Sequence, residues 1–121
     1  MEPIKCDLEP EGLQTLLVGL KFPAYADNRL FKALYVALTI EWMSRETKDY
    51  SAKAVALPFI GELTDVELHE GAGLFDGICG AMTRDESHKQ YPRTFAFCTD
   101  ILDVVVQEMT KRPASGQMTV Q

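Results

Sequence analysis

Between Ala24 and Thr47 the chain carries neither glycine nor proline, and Leu30, Leu34 and Leu38 recur every four residues. Phe31, Tyr35 and Trp42 flank that row. A spacing near four is one face of an α-helix, so the stretch predicts a long helix ending near Lys48. Asp27 or Asn28 offers a side-chain oxygen to its first free amides. Arg29, Lys32 and Arg45 are expected on the opposite, wet face. A helix with such an apolar row is stable only when other elements cover it.

Four further helical segments supply the cover. Pro10 and Gly12 open a run from Glu11 to Leu20 in which Leu13, Leu16, Leu17 and Leu20 share one face, and Lys21-Phe22-Pro23 ends it. Ser51 is read as the cap of a short helix over Ala52–Leu57, stopped or kinked by Pro58. Thr64 and Glu67 match a capping box. Behind the box stand Leu68, Ala72, Phe75, Cys79 and Met82 at helical spacing. Thr83–Gln90 is expected to be a polar loop. Pro92 then opens a last helix whose seam is read as Phe95, Cys98, Leu102, Val105 and Met109, widened by Ile101, Val104 and Val106. Val104–Val106 alone would suit a strand, but the preceding periodicity favours helix. The expected fold is all-α, a compact bundle of about five helices, with residues 1–112 as one domain and 113–121 as a mobile tail.

Chemistry is expected to be absent. His69 stands near Asp65 and Asp76, yet no Glu-x-x-His or His-x-x-x-His pair completes a metal site. His88 falls in the polar loop. Cys6, Cys79 and Cys98 are odd in number and widely spaced, which argues against a disulfide framework or a zinc cluster. Cys79 and Cys98 lie on apolar stripes, where a thiol acts as a small hydrophobe. Gly71-Ala72-Gly73 has no strand before it and no Lys-Ser or Lys-Thr after it, so it is no phosphate loop. The expectation is no catalytic residue, no metal and no cofactor.

Charge narrows the partners. Eighteen acidic against twelve basic residues give a net charge of −6, and the basic residues do not cluster, which disfavours direct nucleic-acid binding. The first residues lack a basic region followed by an apolar core, and no apolar run approaches a membrane span. A cytoplasmic protein is expected.

Two features point to surfaces. Gly73, Gly77 and Ala81 form a small-residue stripe flanked by Leu74 and Ile78. It suits either close helix crossing in the core or the seam of a homodimer, because each interior glycine costs about 1 kcal/mol relative to alanine and needs an offset. Phe22, Tyr25, Tyr50, Phe59 and Tyr91 sit at segment ends, where aromatics either seal helix ends or serve as partner-binding anchors.

With its acidic balance and five helical segments, the chain resembles the QslA-type antiactivators of Pseudomonas quorum sensing, most visibly along Phe22-Pro23-Ala24-Tyr25-Ala26-Asp27-Asn28-Arg29-Leu30-Phe31. The resemblance implies a helical homodimer that binds a LuxR-type transcription activator and keeps it from dimerising on DNA, without catalysis. The residues leave two other classes open. One is a phage- or plasmid-type inhibitor of a host defence complex. The other is a small enzyme or ligand carrier with an apolar pocket between helices.

Overall fold

In the computed structural model, which describes residues 3–47 and 54–112, the chain forms β1 (Ile4–Lys5), α1 (Pro10–Leu20), α2 (Arg29–Thr47), β2 (Ala54–Val55), α3 (Asp65–Arg84), α4 (Ser87–Gln90) and α5 (Pro92–Lys111). The all-α expectation holds, with one minimal two-stranded ribbon added. Two short 3-10 turns, Pro23–Tyr25 and Ile60–Glu62, join the larger elements.

The long helix starts later than the glycine- and proline-free run. Residues Pro23–Tyr25 form the 3-10 turn, and Asn28 takes the cap. Its Oδ1 accepts from the Leu30 and Phe31 amides at 3.0 and 3.2 Å. Leu30, Leu34 and Leu38 are then fully buried, with Phe31 beside them. Lys48, where the helix was expected to end, lies outside the described residues.

Of the expected Ala52–Leu57 helix, residues 54–57 are described, and they are not helical. Ala54–Val55 pairs antiparallel with Ile4–Lys5, in the register Ile4↔Val55 and Lys5↔Ala54. The physical reason is a period of two on both segments. Ile4, Cys6 and Leu8 are buried while Lys5 and Asp7 are exposed, and Val55 and Leu57 are buried while Ala54 and Ala56 are exposed. Ser51, the expected cap, lies outside the described residues.

Helices α3 and α5 form the centre of the bundle. The capping box is present: Glu67 N donates to Thr64 Oγ1 at 3.1 Å, and Thr64 N donates to Glu67 Oε1 at 2.8 Å. Leu68, Phe75 and Cys79 are buried on α3. Ala72 and Met82 are half-buried. The α5 seam is rotated from its expected position. Thr94, Phe97, Cys98, Ile101 and Val105 are buried, whereas Phe95, Leu102 and Met109 are half-buried and Val106 is exposed. Val104–Val106 is helical throughout.

The expected polar loop Thr83–Gln90 is mostly helix as well. α3 continues to Arg84, and Glu86 turns the chain at a left-handed φ of 62° into the single turn of α4. Pro92 occupies the first turn of α5 as expected. At the far end, Arg112 donates to Asp65 Oδ1 at 2.9 Å and to Glu108 Oε2 at 3.2 Å, tying the last turn of α5 to the first of α3. Residues 113–121, including Pro113 and the expected tail, lie outside the described residues.

Candidate protein-binding site

The outer face of α2 is where the structure departs most usefully from the sequence expectation. Val36, Ile40 and Met43, spaced four and three apart, are 57%, 47% and 57% exposed. They form one helical row on the side away from Leu30, Leu34 and Leu38. Ala33 and Ala37 lie half-buried beside the row, and half-buried Phe59 borders it. Together with Arg29 and Lys32 at the helix start, all of these except Met43 line a shallow depression. Isolated exposed apolar side chains are ordinary on protein surfaces, but a row of large ones on one helix face is a candidate interaction surface.

This face was expected to be wet. Arg45, assigned to it, is instead half-buried, with Nε donating to Glu41 Oε2 at 2.9 Å. Glu41 is itself buried at 1% exposure, an acid on the inward side of α2. The signal that could have located the outer row is that α2 is apolar nearly all round, from Leu30 through Trp42. A helix patterned in that way needs cover on more than one side.

A polar junction fixes the orientation of this face. Asn28, only 3% exposed, donates through Nδ2 to the Glu67 carbonyl at 3.2 Å and to Glu70 Oε1 at 2.8 Å. The Arg29 guanidinium donates to Glu67 at 2.8 to 3.2 Å, and the Arg29 amide adds a bond of 3.0 Å. Those bonds, the side-chain ones first, hold the Glu67 carboxyl well below the usual carboxylate range. One carboxylate thus caps α3 and also receives the first amide of α2.

The sequence-predicted aromatics do not converge on one surface. Phe22 is 59% exposed, with its ring 6.1 Å from that of Tyr25. Tyr25 turns inward, its ring edge-on to Phe31 at 4.6 Å. Phe59 is at the α2 row. Tyr91 lies at the start of α5, donating to Glu11 Oε1 at 3.0 Å. Tyr50 lies outside the described residues.

The small-residue stripe also resolves differently from a core crossing. A Cβ placed on Gly73 or Gly77 would meet nothing within 4 Å, and both residues are exposed. Ala81 is half-buried. Leu74 and Ile78 are half-buried and line a separate cleft facing α1. Among the described residues no helix crosses at Gly73 and Gly77, so the core-packing alternative finds no support there.

The groups considered for chemistry are dispersed. His69 is exposed, its Nδ1 2.8 Å from the Asp65 carbonyl, and Asp65 is paired with Arg112. His88 is half-buried in α4, with its ring 5.4 Å from that of Phe95, rather than in an open loop. No cluster of three or more metal-ligating side chains occurs among the described residues. All three cysteines are buried, and none is in a disulfide among the described residues. Burial, with the Glu41 charge second, pushes the Cys6 thiol up to about 11, and burial pushes Cys98 up to about 12. Burial also raises Cys79. Thiols in such surroundings stay protonated and are poor nucleophiles near neutral pH. No helix among the described residues is long and apolar enough to cross a membrane. Comparison of the chain with protein-family models, curated proteins and solved structures returns no significant match.

Proposed function

We propose that this protein is a non-catalytic regulator that acts by binding another protein through the outer face of α2. The observation that carries this reading is the exposed row Val36, Ile40 and Met43 beside Phe59. Docking a partner there would remove large apolar side chains from water, at about 25 cal/mol per Å² of apolar surface. The rigid helix and its buried Asn28–Glu67 junction present the row without the ordering cost of a loop.

The resemblance along Phe22–Phe31 supplies the class of partner: a LuxR-type transcription activator in the cytoplasm, kept from dimerising on DNA. The net charge of −6 fits a protein that acts on the activator rather than on DNA, because a chain of that charge is repelled by phosphate backbones. In this reading the protein is a homodimer, with Gly73 and Gly77 at the seam. The support is that these glycines weaken α3 and, among the described residues, have no neighbour to compensate.

The test is release of a LuxR-type activator from operator DNA by the purified protein. The wild type should form a stoichiometric complex and free the DNA. Ile40→Glu should weaken the complex by about tenfold or more while leaving the melting temperature near that of the wild type, because the side chain already meets solvent. DNA that stays bound in the presence of excess wild-type protein, or an Ile40→Glu variant of full potency, would discard the proposal.

A further inference from the structure

A cleft on another side of the molecule has the makings of a small-molecule site. α1 packs on α2 and α3 packs on α5, so α1 and α3 hardly touch. A cavity of about 450 Å³ lies between them, within the roughly 300–1,000 Å³ range of small-molecule sites. Leu16 and Leu20 form one wall, and Leu74, Ile78 and Met82 the other. Gly19 also lines it, and a Cβ there would meet nothing within 4 Å. The missing side chain keeps open a space that a larger residue would fill. Apolar walls without contact atoms opposite them forfeit dispersion energy, which an apolar occupant restores.

One end of the cleft is chemically distinct. Glu11, Thr15 and Tyr91 meet there. The Tyr91 hydroxyl donates to Glu11 Oε1 at 3.0 Å, and the Thr15 hydroxyl donates to the Glu11 carbonyl at 2.9 Å. Among the described residues no donor reaches Glu11 Oε2, and no lysine or arginine lines the cleft. Glu11 is exposed, so its negative acceptor oxygen stands at the mouth of the apolar slot, where it favours a donor of positive charge. It also repels a carboxylate of the same shape, a preference reinforced by the net charge of −6.

We propose that the α1–α3 cleft binds a small amphiphile with a protonated amine at Glu11 and an apolar body between Leu16, Leu20, Leu74 and Ile78. The site is independent of the α2 face.

Isothermal titration of the full chain with octylammonium and with octanoate, both below micelle formation, tests the proposal. Octylammonium should bind at one saturable site, and octanoate about tenfold more weakly or worse. Gly19→Leu fills the slot and should lower octylammonium affinity by about tenfold or more. Its melting temperature checks the fold, and Thr15→Leu, at an exposed α1 position, serves as a second filling variant. Glu11→Gln should bring the two ligands close to equal affinity. Ile40→Glu should leave the binding unchanged, which separates this site from the α2 surface. Absence of saturable octylammonium binding, equal binding of octanoate to the wild type, or filling variants of unchanged affinity would overturn it.

Discussion

Gly71 and Gly77 lie on the same helix, and the fold treats them in opposite ways. Gly71 is buried against α2: a Cβ there would come within 2.8 Å of Leu30 Cδ2. Gly77 faces open space, as does Gly73. The inner glycine is a packing requirement, while the outer two weaken α3 with no return from the described residues. α1 shows the inner kind in a stricter form. At Gly12 a Cβ would overlap the buried Thr94 side chain, whose Cβ and Cγ2 would both lie 2.8 Å away. Glycine content alone therefore says little about a helix; what faces each position decides its role.

The largest effect expected from breaking this comparison is at Gly12. Gly12→Ala should lower stability by about 3 kcal/mol in urea titrations, since Thr94 is short, branched and held by Glu9 and cannot swing aside. A loss well under this would mean that α1 can slide outward.

Next in size is the contact that holds Thr94. Glu9 accepts from the Arg93 and Thr94 amides at 2.9 and 2.8 Å and from the Thr94 hydroxyl at 2.7 Å, capping α5 from the far end of the sequence. Burial pushes its carboxyl up, but the bonds from Thr94 and the Arg93 amide outweigh this and hold it at about 2, against an ordinary 4.5. A depressed acid contributes stability that is present above its unfolded value and is lost as pH falls. The wild type should therefore weaken between about pH 4.5 and 2. Glu9→Gln should cost about 2 kcal/mol at neutral pH and make that acid slope shallower, with Glu67 retaining its own share. An unchanged slope in chemical denaturation across this window would remove Glu9 from the account.

The smallest effects sharpen the comparison within α3. Gly71→Ala gains helix propensity but crowds Leu30, whose methyl is the end of a flexible side chain, for a net loss of about 1 kcal/mol. Gly77→Ala meets nothing and should gain about 0.8 kcal/mol. Sedimentation of the same variant bears on the homodimer. If a second copy seats on Gly77, the stability gain will come with weaker self-association; an unmoved association state removes Gly77 from the proposed seam.

Local signals were legible in the sequence. The Thr64–Glu67 box, Pro92 in the first turn of α5, and the Leu30–Leu34–Leu38 row needed only neighbours within a turn or two to act. The ribbon was missed because two residues per strand give too short a pattern to outweigh a plausible serine cap. The α2 outer row was missed because an apolar face reads the same whether it is covered or bare. The α1–α3 cleft was not expected at this place, since the sequence says which residues are apolar but not which walls stand apart.

What the sequence determined by itself was the four longer helices, α1, α2, α3 and α5, and the caps of α2 and α3, since helical periodicity and local capping are written within a few consecutive residues. Only the tertiary structure decided that Glu9 caps α5, that Glu67 joins α2 to α3, and that Gly71 is enclosed while Gly77 is open. Each of these depends on the distance between groups tens of residues apart along the chain, and packing of the whole chain sets that distance.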